Sequence, residues 1–183
     1  MTERQLPLLV LVHGPPGSGK TTLGRALAAE LGLPLFAKDE LKEELYESLG
    51  TGDAGWSRQI GRAVYDLLYL IADRLLESGG SLILEGNFVA GAAETALEAL
   101  PPHRTVQVYC DAPEEVLLER YLARDRHPGH LDRERLEEVR ASIRAGRHRP
   151  LALQAKLIEL DTTRPVDIAQ LAAATCSVRP AQG

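Results

Sequence analysis

Residues 14–21 read Gly14-Pro15-Pro16-Gly17-Ser18-Gly19-Lys20-Thr21, the spacing G-x-x-x-x-G-K-[ST]. Residues of these types at this spacing hold a polyphosphate. The glycines let successive backbone N–H groups turn inward around an anion. A helix starting at the end of the loop aims roughly half a positive charge at the same point. Lys20 can reach the β- and γ-phosphates of a nucleoside triphosphate, and Thr21 can offer its hydroxyl to Mg²⁺. Gly14 through Thr22 are therefore the candidate nucleotide-binding residues, and Lys20 is also a candidate catalytic residue.

Three carboxylates stand where predicted strands end: Asp39, Glu85 and Asp161. In an open parallel sheet, ligands gather at the carboxyl ends of the strands. Asp39 could orient or deprotonate an acceptor hydroxyl, and it could equally cap the helix that begins beside it. Glu85 follows the buried run Leu82-Ile83-Leu84, as a carboxylate supporting Mg²⁺ would. Arg120 and Arg124 are four apart on one predicted helix face, with Arg126 just beyond. Phosphoryl transfer spreads negative charge over the phosphate oxygens, and a guanidinium can stabilise that charge. The same arginines could form an ordinary solvated face paired with Glu119 or Asp125. His127 and His130 flank Pro128-Gly129 without enough neighbouring ligands for zinc, and read as lid-packing or solvated residues. The basic stretch Arg140–Arg149 reads either as a solvated helix face or as a contact for an anionic substrate. Trp56 and Tyr65 are expected in the core, with an acceptor-site role as the alternative.

The elements that must position these groups alternate β and α along the chain. Leu8–Val12 is an apolar run leading into the loop, and Leu23, Leu27 and Leu31 give the following helix its buried face, stopped by Gly32. Leu33–Ala37 is a short strand. The next helix starts near Asp39 with Leu41, Leu45 and Leu49 on one face. A long helix covers about Trp56–Leu76, a third strand Ser81–Glu85, and an alanine-rich helix about Gly91–Leu100. Thr105–Tyr109 is a fourth strand, and Pro113 opens a helix at its first position. That helix cannot continue through Pro128-Gly129, which gives a lid a hinge-like break. Asp132 is expected as an N-cap, with Leu131 and Leu136 as a hydrophobic staple, for a helix running to about Ala145. Lys156–Leu160 is the fifth strand, and a last helix starts at Pro165. The expected architecture is α/β: a doubly wound, five-stranded parallel sheet with helices on both faces and a helical lid near residues 124–150.

The length, 183 residues, fits one such domain, and the formal net charge of −5 argues against a broad non-specific nucleic-acid surface. Cys110 and Cys176 are far apart and fall in no metal-ligand spacing; both are expected as small buried residues. The run Leu8–Val12 is too short for a membrane span and enters the loop directly, so a cytoplasmic setting is expected.

The order of motifs resembles the small P-loop kinases. This group includes gluconate, shikimate and adenylate kinases, polynucleotide 5′-kinase, zeta toxins and chloramphenicol phosphotransferase, with bacterial members labelled AAA-family ATPases. The resemblance covers nearly the whole chain and implies a P-loop NTPase fold, ATP and Mg²⁺ as cofactors, and phosphorylation of a small hydroxyl-bearing molecule. On this resemblance Asp39 engages the acceptor, Arg120-x-x-x-Arg124-Asp125-Arg126 belongs to the lid, and Asp161-Thr162-Thr163 is the turn near the adenine. Glu85-Gly86 resembles the Asp-Gly of nucleoside monophosphate kinases, with Glu for Asp and no following Pro-Arg. A polynucleotide 5′-hydroxyl kinase using Arg140–Arg149, and a nucleotide-binding ATPase or switch without a small acceptor, are the alternatives.

Overall fold

The computed structural model describes residues 6–177. Five strands, β1 (Leu8–His13), β2 (Leu35–Ala37), β3 (Leu82–Gly86), β4 (Arg104–Asp111) and β5 (Lys156–Asp161), form one sheet in the order β2-β3-β1-β4-β5. All pairings are parallel. The central strands β1 and β3 are buried along their whole length, whereas β5 alternates half-buried and exposed residues, as an edge strand does.

The helices are α1 (Lys20–Leu31), α2 (Lys38–Leu49), α3 (Ala54–Glu77), α4 (Glu94–Glu98), α5 (Glu114–Leu122), α6 (Leu136–Arg144) and α7 (Ile168–Cys176), with a 3-10 turn at Pro128–His130. They cover both faces of the sheet. One core joins Leu9, Leu11, Leu82 and Leu84 to Ile60, Val64 and Leu68 of α3. The other joins Val10, Val12, Ile83, Val106 and Val108 to Leu23 and Leu27 of α1 and Leu171 of α7. Strand residues pointing alternately to the two faces thus feed two separate layers. A third, small cluster ties Leu118 and Tyr121 of α5 to Val139 of α6.

Several local expectations are corrected. Helix α2 begins one residue earlier, with Ala37 at the N-cap, so Asp39 lies in its first turn and is not the cap. The buried stripe of α2 is Lys42 and Tyr46, flanked by partly buried Leu41 and Leu45, while Leu49 is exposed. Pro113 is the N-cap of α5 and not its first residue, and α5 ends at Leu122. Arg124 therefore lies past the helix, and Arg120 and Arg124 do not share a helix face. Asp132 caps nothing: Leu131 adopts a left-handed conformation (φ 56), the chain turns, and α6 starts at Leu136 after Arg135. The Asp132 carboxylate is instead taken by Arg126, a charged bond stronger than a cap. The helix expected over Gly91–Leu100 keeps only five residues, and α7 is capped by Asp167, which accepts from the Gln170 N–H. Helix α3 starts at Ala54, capped by Asp53, ahead of Trp56. Cys110 is buried as expected, but Cys176 is exposed. Among the described residues, no helix is long and apolar enough to cross a membrane.

Candidate active site

The loop Gly14–Gly19 connects the buried end of β1 to the first turn of α1. Its glycines are required by the backbone. A Cβ on Gly14 would lie 2.0 Å from the Cys110 carbonyl oxygen, and one on Gly17 2.1 Å from that of Leu117; both residues have positive φ. Gly19, left-handed at φ 77, is the N-cap of α1 and offers no side chain to its free amides. Those amides are left for an anion. Ser18 is fully buried within the loop, and its Oγ has no hydrogen-bond partner. An orphaned hydroxyl there fits a phosphate-bearing ligand.

Lys20, the first residue of α1, is buried, and its Nζ donates to the Pro15 carbonyl (3.3 Å). Burial pushes its ammonium below the usual range, with Glu85 opposing the shift. The Thr21 hydroxyl donates to Glu85 Oε2 (2.9 Å). The sheet register explains this meeting. Glu85 of β3 is level with Val12 of β1 and with Ala37 of β2, so its carboxylate emerges between the phosphate loop and the start of α2. Burial pushes the Glu85 carboxyl up, against the pull of Lys20. A divalent cation beside it would hold it ionised.

Across the cleft stands Asp39. Its Oδ1 accepts from Lys38 Nζ (2.9 Å), and its Oδ2 from Arg126 Nη1 (2.6 Å). Burial alone would raise its pKa, but Lys38 and Arg126 hold it well below the usual carboxylate range. Arg126 is fixed from behind, where Nε and Nη2 donate to the two oxygens of Asp132 (2.6 and 2.5 Å). Arg124 is half-buried against the Tyr121 ring (5.5 Å to its centroid) and pairs with no carboxylate among the described residues. Burial and the adjacent Arg126 disfavour its charge. Arg124 is thus a cation without an anion, facing the phosphate loop.

Lys20, Thr21, Asp39, Arg120, Arg124 and Arg126 line one cleft of about 390 Å³, together with Gly17, Gly19 and Thr22. Arg120 reaches it while donating to the Thr162 hydroxyl and carbonyl (both 3.1 Å). That bond ties α5 to the turn after β5. On the far side of Arg120, a cavity of about 540 Å³ runs between Leu23 and Ala26 of α1 and Thr162, Val166 and Ile168. Its apolar walls suit a flat base. Asp161 lies outside both: it is exposed, its Oδ1 accepts from the Thr163 N–H and hydroxyl (2.9 and 2.6 Å), and it lines a separate hollow with Tyr109 and Pro113.

The lid docks on α2. His130 is buried, and burial pushes its pKa down to about 3, so the ring is neutral and Nε2–H donates to Glu43 Oε1 (2.9 Å). His127 stacks on Tyr46, and Gly129 packs so closely on the same ring that a Cβ there would lie 2.8 Å from it. Both histidines are lid-packing residues. Among the described residues, no group of three or more His, Cys, Asp and Glu could hold a metal ion. In the basic stretch, Arg140 pairs with Glu137 and Arg144 with Glu114, while His148 is buried against Ser142 and the Phe88 carbonyl. Trp56 packs against the core and donates to the Gly50 carbonyl; the Tyr65 hydroxyl donates to Asn87 (3.4 Å).

Sequence reasoning passed over Lys38 and Arg135, which line a narrow arm of the cleft beside Asp39, and Lys42 behind them, and it read Asp132 only as a cap. Lys38, Lys42 and Tyr46 recur at four-residue spacing along α2, a polar stripe beside the leucines that could have been read. Nothing in the sequence marks Asp132 as the partner of Arg126.

Comparison with known proteins bears on the family and the fold. The profile of a family described as an AAA domain matches residues 9–145. The crystal structure of a candidate kinase from Chloroflexus aurantiacus superposes with a TM-score of 0.84 at 37% identity, covering 94% of this chain and 98% of that one. The cytidylate kinase of Pyrobaculum islandicum is 27% identical over 148 residues, 80% of this chain and 74% of that protein. The uncharacterized protein Rv2004c of Mycobacterium tuberculosis is 33% identical over 126 residues, 63% of this chain. The matched segment spans about a quarter of the length of that relative (25%).

Proposed function

This chain belongs to the AAA domain family, with a P-loop kinase fold, and from that premise we propose that it is an ATP- and Mg²⁺-dependent kinase of a small hydroxyl-bearing molecule. The observation that carries the reading is the single cleft shared by Lys20, Thr21, Asp39 and Arg124. Phosphate-binding groups and an acceptor-facing carboxylate meet there on opposite walls.

The loop amides, the Ser18 hydroxyl and Lys20 hold the phosphates of ATP, with the adenine against the apolar cavity beside Thr162 and Arg164. Thr21 and Glu85 are the residues that would hold Mg²⁺, which when bound neutralises charge shared by the β- and γ-phosphates. The acceptor hydroxyl lies against Asp39. A carboxylate with its pKa held so low is ionised throughout physiological pH, so it orients the hydroxyl by accepting its hydrogen bond. It takes the proton only as the O–P bond forms and the bond to the ADP oxygen breaks. Arg124, which has no counter-anion of its own, stabilises the charge on the transferring group. Arg120 and Arg126 shape the walls, the first toward the adenine side and the second toward the acceptor.

A hydroxyl acceptor is favoured over the phosphate of a nucleoside monophosphate because ionised Asp39 would repel a phosphate brought to the reacting position. The sequence Glu85-Gly86-Asn87 also lacks the Pro-Arg of the nucleoside monophosphate kinases. The test is ATP consumption across sugars, nucleosides, aminoglycosides and oligonucleotides. A slow basal rate that rises sharply with one small-molecule class supports the reading. Stimulation by oligonucleotides alone would identify a polynucleotide kinase, and fast turnover without any acceptor an ATPase.

A further inference from the structure

The charges around the cleft are matched almost pair by pair, and the exceptions are informative. Lys38 pairs with Asp39, Arg126 with Asp39 and Asp132, and Arg135 with Glu138. Among the described residues, four cations at or near the cleft have no carboxylate within ion-pair distance: Lys20, Arg120, Arg124 and Lys42. Lys20 and Arg124 face the phosphate loop, where ATP supplies the anion, and Arg120 is held by the Thr162 hydroxyl and carbonyl. Lys42 lies at the other end. It is buried between α2 and α3, with a single hydrogen bond from Nζ to Ser57 Oγ (2.9 Å) and the Tyr46 ring 5.2 Å away. A buried ammonium held only by a hydroxyl and a ring face is under-compensated.

Lys42 does not stand alone. Lys38 and Arg135 both lie close enough to act on its charge, and both line a narrow arm of the cleft, about 50 Å³, that meets the main cavity at Lys20, Asp39, Arg124 and Arg126. Among the described residues, Asp39 is the only carboxylate on the wall of that arm, and it sits at the mouth, where the reacting hydroxyl belongs. Beyond it the wall is Lys38, Asn87, His130 and Arg135, a set of hydrogen-bond donors with the neutral His130 already directed at Glu43.

We infer that the acceptor is an anionic alcohol, carrying a carboxylate or phosphate group that enters this arm and is held by Lys38, Arg135 and, from behind, Lys42. The inference rests on the kinase reading and narrows its substrate class. It excludes neutral sugars and cationic aminoglycosides as the preferred acceptors. The flexible four-carbon stem of Lys42 lets the ammonium turn from Ser57 to the anion, and Arg135, whose Nε and Nη2 hold the two oxygens of Glu138, presents its Nη1 to the arm.

The test needs no knowledge of the acceptor. The protein is loaded with Mg²⁺ and a non-hydrolysable ATP analogue, so that the phosphate loop is filled. Sodium sulfate is then titrated against sodium chloride at matched ionic strength, and the melting temperature is followed. A ligand that binds only the folded state raises that temperature by mass action. Sulfate is expected to add several degrees with a millimolar midpoint where chloride does not. The increment should be lost in Arg135→Gln and in Lys42→Met, each measured from its own analogue-loaded baseline and checked by circular dichroism. An equal response to sulfate and chloride, or an undiminished sulfate increment in both variants, overturns the inference. Nucleotide binding, which the kinase reading requires, is scored separately in the same experiment by the shift that the ATP analogue produces before any sulfate is added, and the kinase reading itself by acceptor-dependent ATP consumption. Among acceptors, D-gluconate and glycerol 3-phosphate distinguish carboxylate from phosphate. Activation by glucose or kanamycin at lower concentration than either would also overturn the inference.

Discussion

The two walls of the cleft are built by different means. The phosphate wall hangs on β1 and β3, which are buried along their full length, and its glycines sit against the backbone of Cys110 and Leu117 with no room for a Cβ. The lid wall, from Arg124 to Arg135, is irregular chain and a single 3-10 turn, held to α2 by Arg126–Asp39, His130–Glu43 and the stack of His127 on Tyr46. One wall is positioned by the hydrophobic effect and sheet register, the other by charged and polar contacts. A wall of the first kind should tolerate almost no change and depend little on pH. A wall of the second kind should give graded, pH-sensitive effects. Substitutions on the two walls test that contrast.

The largest effect is expected on the phosphate wall. Lys20→Ala should lower kcat/KM by about 10³-fold or more, since a buried, preorganised cation at the transferring phosphate is among the strongest single contributions to catalysis. ATP affinity by calorimetry should fall with it, while circular dichroism stays native.

Next comes Asp39→Asn, where the walls meet. Acceptor kcat/KM should drop by roughly 10²-fold, in line with general-base and orienting contributions, with ATP affinity nearly unchanged. Because Asp39 pairs with Lys38 and Arg126 and caps no helix, the substitution should also lower the melting temperature. A variant with full stability and full turnover would return Asp39 to the role of surface residue.

On the lid wall, Arg124→Ala should reduce kcat by ~10-fold or more with a smaller change in ATP affinity, because a cation awaiting charge acts mainly in the transition state. Arg126→Ala should weaken acceptor binding more than kcat, as its partners are Asp39 and Asp132. Equal effects on both parameters in both variants would erase the distinction between the arginines.

The smallest effect concerns pH. Burial holds the folded-state pKa of His130 near about 3 and that of His13 near about 4, both below the ordinary 6.5. Below pH 6.5 the unfolded chain therefore binds protons that the folded one refuses, and stability falls with pH until the folded pKa is reached. Each histidine contributes up to about 2 kcal/mol of that loss at pH 5. The depressed Asp39 acts elsewhere: its contribution is complete above its unfolded value of 3.8 and is lost only as pH falls further, through its folded pKa. His130→Gln should flatten the denaturant-derived stability profile between pH 6.5 and 5. An unchanged slope would mean that His130 is hydrated in solution.

The same contrast explains what could be read from the sequence. The phosphate wall was legible because its requirements are local. The loop spacing, the apolar run before it and the helix after it lie within adjacent residues, and Glu85 follows its own buried strand. The lid was legible only as a break at Pro128-Gly129. Which carboxylate meets which arginine there depends on contacts such as Arg126 to Asp39, 87 residues apart, that no local pattern encodes. Asp132 carried a strong cap signature, and the competing charged bond to Arg126 overrode it. On α2 the leucine stripe is only partly the buried face: Leu41 and Leu45 pack at the edge of the core, Leu49 is exposed, and full burial shifts by one residue to Lys42 and Tyr46, which meet Ser57 of α3.

The central claim is that the γ-phosphate of ATP is passed to an organic hydroxyl in this cleft. The most direct measurement follows that phosphate: γ-labelled ATP, Mg²⁺ and the purified protein are incubated with a pool of small hydroxyl compounds, and the label is located by chromatography. The structure predicts label in a phosphate ester in the wild type, and none in Lys20→Ala or Asp39→Asn beyond the stated residual rates. Label released solely as inorganic phosphate, at the same rate with and without the pool and in Asp39→Asn, would contradict it.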